Sequence, residues 1–448
     1  MPDDLSLALS EHAAGFAVDD VDGATLAHLK DNLLDVVAVT IAGVHEEGLD
    51  ALRQFLRTTS ATGAGVVVGT PARLSTPAAA FANATAAHAL EFDDAYDEGG
   101  GMHAGPPVHA TALAVADELG SVSGAEYLAA VAVGLDVAVR LATAPEEDLG
   151  WHRASVYAVF GATVAAGRLL GLDAEQMRNA IGLALSQASG TRQPIAEATL
   201  ATRLHTGFAA RNAVTAAALA RAGFTAAHES LEGPNGFFTL FQGGKYDRDV
   251  ILAGLGTELR SSRISTKPFP GGRVAHALVE AALRLRSAEP DEAVEAVAVS
   301  GPAEIVGWAA AKSTWPVGRE ALYNPLFAVA LAVEADAGPL RAFVEPDGTP
   351  AGVRRLFERS TAIEDPSAGP HGAVELTFSS GRTVREVAER ATGYPERPLG
   401  AEALRAKLRA CVAHAGVRLD DEAIADAVAR FDQARTTSEL TQLLSTHT

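Results

Sequence analysis

The chain has 448 residues, with 36 basic and 56 acidic side chains for a formal net charge of −20, and is 48% hydrophobic and 21% charged. That balance supports a large core over two or three domains, excludes global disorder, and sets up a field that repels nucleic acid. The single cysteine, Cys411, excludes an intrachain disulfide framework, a four-cysteine zinc site and a cysteine-held iron–sulfur cluster, and suits a reducing cytoplasm.

The opening MPDDLSLALSEHAAGF has acidic residues where a secretory leader would carry lysine or arginine, so no targeting segment is expected. No apolar run reaches the about 18 residues of a membrane span, so no membrane partner is expected either. From Leu26 to about Arg57 apolar residues recur at helical spacing, and the small pair Ala42 and Gly43 allows close helix contact. GAGVVVGT, closed by Pro71, is short and valine-rich and predicts a strand or hairpin arm. Helical pattern then dominates from Pro77 to about Ala222, dense in alanine and glycine. Near Arg263 the texture changes: STKPFPGGR brings prolines and glycines, and strand-like runs follow in AVEAVAVSGP and AVELTFSSGRTVREV. Helical stretches lie between them (VAHALVEAALRLRSA, NPLFAVALAVEA) and resume after RATGYPERPLG. The pattern predicts a mostly α fold: a large all-helical domain over residues 1–262, completed by 400–448, and a smaller α+β lid domain over 263–399.

Four segments carry candidate chemistry. HALEFDDAYDEGGGMHAGPPVHA, residues 88–110, gathers His88, Glu91, Asp93, Asp94, Asp97, Glu98, His103 and His109 around a triple glycine. It reads in three ways: as a solvated acidic loop, as a metal site, although HExxH and EF-hand spacings are absent, or as a proton-transfer site in which a carboxylate orients His103. Trp151, His152 and Arg153 precede an apolar helix that Ser155 could cap, and His152 alone reads as a helix-start histidine. Arg203 and His205 lead an alanine-rich helix, where cations near an N-terminus suit a carboxylate. Lys267, Arg273 and His276 bracket the Pro/Gly loop of STKPFPGGRVAH, which otherwise reads as an interdomain connection.

Taken in order, FDD and its histidine loop, WH, SQASG, RLHTGFAARN, LEGPNGF and STKPFP resemble the MmgE/PrpD family from about residue 5 to 412. That family includes 2-methylcitrate dehydratase, cis-aconitate decarboxylase and iminodisuccinate epimerase. The resemblance implies a helical domain and an α+β lid with the active site between them, a homodimer, and no metal or organic cofactor. It maps the loop histidine to His103, the WH histidine to His152 and the STKP lysine to Lys267, with Arg203, His205 and Arg273 at recurrent positions. Glu91 stands in place of aspartate, Ala95 of threonine, Thr202 of lysine, Gly272 of cysteine or histidine, and Phe327 of tyrosine. Losing a lysine and a tyrosine hydroxyl implies a substrate other than 2-methylcitrate or cis-aconitate.

The expected activity is that of a cofactor-independent hydro-lyase removing a proton beside a carboxylate of a small hydroxy di- or tricarboxylic acid. His103 is the expected base or acid, Asp93 or Asp94 orients it, His152 serves the opposite face, and Lys267, Arg203 and Arg273 supply positive charge. Epimerisation, other isomerisation or decarboxylation of a related acid is the alternative within enzymes. A catalytically inactive carboxylate binder is the alternative outside them, motivated by the five departures.

Overall fold

The computed structural model describes residues 4–98, 100–289, 291–310, 314–336 and 340–446. Gly99, the first of the triple glycine, lies outside the described residues. The fold is mostly α, with one small sheet and a short two-stranded ladder among the described residues. It divides into two compact units: Met1–Ala89, Asp93–Thr266 and Gly400–Thr448 form the first, and Leu90–Phe92 and Lys267–Leu399 form the second. No helix among the described residues is long and apolar enough to cross a membrane.

The first unit is built on helices α1 (Leu5–Gly15), α2 (Gly23–Gly43), α3 (Thr76–Ala87), α4 (Gly105–Leu119), α5 (Gly124–Thr143), α6 (Ala158–Leu169), α7 (Ala174–Leu185) and α8 (Ala201–Arg221). Their starts follow ordinary capping chemistry. Asp22 accepts from the Ala24 and Thr25 amides, and Ser123 with Glu126 and Asp173 with Gln176 form capping boxes. The helical reading of 26–57 is interrupted at Val44–Gly48, where Gly48 in the left-handed region (φ 84°) starts a separate helix, Leu49–Thr59. GAGVVVGT supplies β1 (Gly65–Val66), antiparallel to β2 (Arg73–Leu74).

Small residues set the distance between helices. A Cβ on Gly43 would lie 1.9 Å from the Ala86 carbonyl oxygen of α3, and on Gly134 of α5 and Gly161 of α6, which face each other, it would lie 2.7 and 2.3 Å from the opposing carbonyl oxygen. The α4–α5–α6–α8 interior is dominated by alanine, valine and glycine, so these backbones approach closely around the larger and polar side chains buried among them. The helix Ala401–Ala415 belongs to the same unit, where buried Lys407 pairs with buried Asp35 of α2.

In the second unit β3 (Val294–Gly301), β4 (Thr361–Glu364), β5 (Ala373–Phe378) and β6 (Thr383–Val387) form a sheet of order β4–β3–β5–β6. β3 and β4 are parallel and the other pairs antiparallel, with a bulge between Val294 and Ala296. Helix α9 (His276–Ala288) packs on β5 and β6, and α10 (Pro325–Ala335) packs on α9. β4 escapes the sequence reading because TAIE is largely exposed and shows no alternation.

Gly43→Ala is expected to lower stability by about 3 kcal/mol or more, since neither α2 nor α3 can retreat from an interior this densely packed. Urea unfolding measures it, and an unchanged midpoint would show that the α2–α3 contact has slack.

Candidate active site

The helical run of α3 ends at Ala87, and the next residues turn out of the helix, with Glu91 in the left-handed region (φ 51°). That turn carries the FDD carboxylates inward rather than outward. Asp93 and Asp94 are both fully buried, which overturns the solvated acidic loop for these two residues; only Glu98, farther along, is exposed. A buried carboxylate needs donors, and here they are histidines and amides. His88 Nδ1 lies 2.9 Å from Asp93 Oδ2 with both side chains out of water. His103 Nδ1 lies 3.4 Å from the same oxygen and 2.5 Å from the Asp94 carbonyl. Both partners of His103 Nδ1 are acceptors, so that nitrogen carries a proton, and in the neutral form of such a ring the lone pair is at Nε2.

The Asp94 carboxyl faces the other way. It accepts from Asn32 Nδ2 at 2.9 Å and from the Gly105 amide, at the start of α4, at 3.2 and 3.1 Å. Burial and the neighbouring Asp93 charge push it up to about 7, Asp35 adds to the rise, and Asn32 and His103 oppose it. Behind Asn32 stand His109, whose Nε2 is 2.9 Å from Asn32 Oδ1, and Tyr127, whose hydroxyl is 2.9 Å from His109 Nδ1.

The WH segment reaches the same place. The rings of His103 and His88 are 5.0 Å apart between centroids, those of His88 and His152 5.6 Å, and those of His152 and His205 4.9 Å. His152 and His205 share one proton between Nδ1 atoms 2.9 Å apart. Ser155 does not cap the short helix at Arg153; its hydroxyl bonds the His205 carbonyl instead. Arg203 is buried with its guanidinium on the carbonyls of Glu47 and Ala89, and Thr202 is buried with its hydroxyl on the Thr199 carbonyl. Ala95 forms a two-way backbone bridge with Ser265.

In the second unit Lys267 is fully buried. Its ammonium donates to the Glu91 carbonyl at 2.9 Å and to Glu91 Oε1 at 3.0 Å, while Glu91 Oε2 accepts from the Tyr323 hydroxyl at 3.0 Å. The Gly271 amide also donates to the Glu91 carbonyl, at 2.9 Å, so three groups hold the left-handed turn through four hydrogen bonds. Arg273 lies over the Tyr394 ring at 4.1 Å and touches His276. Phe327 is a core residue of α10, edge-on to Trp315, and Gly272 has room for a side chain.

The sequence profile of the MmgE/PrpD N-terminal domain matches residues 7–249, and that of the MmgE/PrpD C-terminal domain matches residues 269–433. The chain belongs to the MmgE/PrpD family. It is 30% identical over 293 residues to the cis-aconitate decarboxylase of Aspergillus terreus, covering 62% of this chain and 59% of that one, so it spans about three fifths of that relative's length. It is 26% identical over 455 residues to the mouse cis-aconitate decarboxylase, covering 96% and 91%, and 26% identical over 423 residues to the human one, covering 87% and 85%.

In this MmgE/PrpD chain the polar residues that sequence reasoning passed over are Asn32, Tyr127 and Tyr323. For Asn32 and Tyr127 the signal was a polar group at an apolar position of a helical pattern, as in DNLLDVV, which is too common to single out, and Tyr323 ends a short 3-10 turn with no such pattern. His88, Asp93 and His103 have ligand atoms within 4.8 Å of one another, a spacing that admits a metal ion. The 2.9 Å His88–Asp93 contact is a hydrogen-bond distance, shorter than the roughly 3.3 Å that two tetrahedral zinc ligands keep.

Burial holds His109 at about 3 and, with the His88 charge, His205 at about 4. Both lie below the ordinary 6.5, so the unfolded chain binds more protons in acid and these groups weaken folding as pH falls from about 6.5 towards 4. Asp94 is raised and does the reverse, weakening folding as pH rises from about 4 to about 7. His205→Gln is expected to lose roughly 1 kcal/mol less than the parent protein between pH 7 and pH 5, as read by urea midpoints. Parallel curves for the two proteins would contradict a neutral buried His205.

Proposed function

We propose that the protein is a lyase that moves a proton beside a carboxylate of a small di- or tricarboxylic acid, with His103 as base or acid. The observation that carries this reading is the buried His88–Asp93–His103 arrangement, in which acceptors on two sides of His103 Nδ1 fix its tautomer and orientation. A proton next to a carboxylate is weakly acidic, and its removal builds an enediolate-like charge that positioned donors must stabilise. In dehydration the base takes that proton and the β-hydroxyl leaves as water once protonated, giving an alkene. In decarboxylation the C–C bond breaks to release carbon dioxide, and the acid returns a proton to the carbanion left behind. Dehydration is the reading from the sequence; decarboxylation is supported by the names of the relatives. His152 is assigned to the second proton transfer and Lys267 to the substrate carboxylate. Asp93 orients His103.

The test is incubation with cis-aconitate, citrate, 2-methylcitrate, malate and iminodisuccinate in deuterated water. A new alkene without gas marks a dehydratase, carbon dioxide release marks a decarboxylase, and deuterium uptake alone marks an isomerase. Silence on all five would favour a carboxylate binder and sink the lyase reading. Activity is expected to survive exhaustive EDTA treatment, given the hydrogen-bond spacing of His88 and Asp93; loss restored by zinc, iron or magnesium would overturn that.

His103→Ala is expected to fold normally and to lose about 100- to 10,000-fold in kcat. Lys267→Ala is expected to raise KM and also to lower the melting temperature, because it leaves Glu91 buried without its cation. The double variant Lys267→Ala with Glu91→Ala separates the two effects: stability should recover while KM stays high. A stable His103→Ala protein with unchanged kcat removes the catalytic assignment.

A further inference from the structure

Behind the proposed base lies a line of buried polar groups from three helices that the mechanism above does not use. Tyr127 of α5, His109 of α4 and Asn32 of α2 are each nearly inaccessible, and they connect in series to Asp94 through contacts of 2.9 Å at every step. Asp94 in turn presents its main-chain carbonyl to His103 Nδ1 at 2.5 Å.

We propose that Asn32, His109 and Tyr127 are positioning residues that fix the Asp94 backbone and through it the Nδ1–H tautomer and orientation of His103. This rests on the reading of His103 as the proton-transfer group. The chain of donors is self-consistent in one direction. The Tyr127 hydroxyl donates to His109 Nδ1, His109 Nε2–H to Asn32 Oδ1, and Asn32 Nδ2–H to the Asp94 carboxylate, which the Gly105 amide also meets. With Asp94 protonated, a flip of the Asn32 amide and the other His109 tautomer reverse the chain: Asp94 O–H to Asn32 Oδ1, Asn32 Nδ2–H to His109 Nε2, and His109 Nδ1–H to the Tyr127 oxygen. The carboxyl is therefore held in either state, and the carbonyl beside it stays in place. Burial keeps His109 neutral, which both directions require. A carbonyl only accepts, so as long as it faces His103 the ring must carry its proton at Nδ1 and offer Nε2 to a substrate.

The experiment reads the tautomer directly. In [15N]histidine-labelled protein at pH 7.5, long-range 15N–1H spectra should show His103 as the Nδ1–H form, assigned by its loss in His103→Gln. In Asn32→Ala the signal is expected to shift to a mixture of tautomers, and with whichever of the five acids turns over, kcat should fall about 10- to 100-fold while KM changes less than about 3-fold. Tyr127→Phe is the gentler variant, because the ring keeps its edge-to-face packing on Phe431 at 5.3 Å. It should move tautomer and kcat in the same direction by about 3- to 10-fold. Should Asn32→Ala fail to fold, Tyr127→Phe decides alone. A pure His103 Nδ1–H signal and parental kcat in the folded variants overturn the proposal. If His103→Ala itself keeps its kcat, the proton-transfer reading fails, while the tautomer spectra still report whether the positioning chain exists.

Discussion

Asp93 and Asp94 are adjacent in the chain and wholly withheld from water, and each such carboxylate costs several kcal/mol unless donors surround it. Much of the first unit's arrangement meets that demand. His88 comes from the end of α3, Asn32 from the middle of α2, Gly105 from the start of α4, and His103 from the loop between the carboxylates and that start. Donors from three helices converge on one dipeptide only if the helices approach closely. The contact of Gly43 with the Ala86 carbonyl shows the device, since a single methyl there would separate the helix bearing Asn32 from the helix that ends at His88. The alanine and glycine content of the helices and the acid–base cluster are thus two parts of one solution.

The sequence displays the helical unit well because its apolar periodicity is long, and it displays the two hairpin strands of the sheet because AVELTFSSGRTVREV alternates around a turn. It hides β4, whose four residues lack a buried face to betray them. At the site, the histidines and carboxylates of residues 88–110 stand out as a cluster, and so does His103. What the sequence conceals is direction. Nothing in FDD says that Asp93 binds with its side chain and Asp94 with its main-chain carbonyl, because that depends on the turn at Glu91, where a residue without a glycine's freedom is held at positive φ. Asn32 and Tyr127 stayed hidden for the same reason that most buried polar residues do: their partners are 62 and 18 residues away in sequence.

The turn at Glu91 also explains why two departures from the family pattern belong together. Glu91 uses one carboxylate oxygen for Lys267 and the other for Tyr323, while its carbonyl takes Lys267 again and the Gly271 amide. The extra methylene of glutamate over aspartate lets a single side chain reach both the ammonium and the phenol. Phe327 has no hydroxyl to offer, and it is packed in the interior of α10 against Trp315, so the phenol of the second unit's cluster comes from Tyr323, four residues earlier. A hydroxyl missing at one position is not a hydroxyl missing from the unit.

In a protein with a net charge of −20, the placement of the few buried cations is informative. Arg203 holds the Glu47 and Ala89 carbonyls, Arg140 pairs with Asp136 and binds four carbonyls of the 251–258 segment, and Lys407 pairs with Asp35. These charges are tied to fixed acceptors of the first unit, where they brace backbone turns. Beside the Asp93 carboxylate, instead, His103 and His88 begin a line of four histidine rings that continues through His152 to His205. On the proposed reading this matters for the chemistry, because a guanidinium supplies charge without exchanging a proton, whereas an imidazole can take a proton in one step and return it in the next. Burial keeps His205 neutral, and the shared proton between it and His152 limits how much positive charge the line can collect. On that reading the site would stabilise developing charge by donating hydrogen bonds and exchanging protons, and would select for substrates whose reaction moves a proton rather than merely presents a carboxylate.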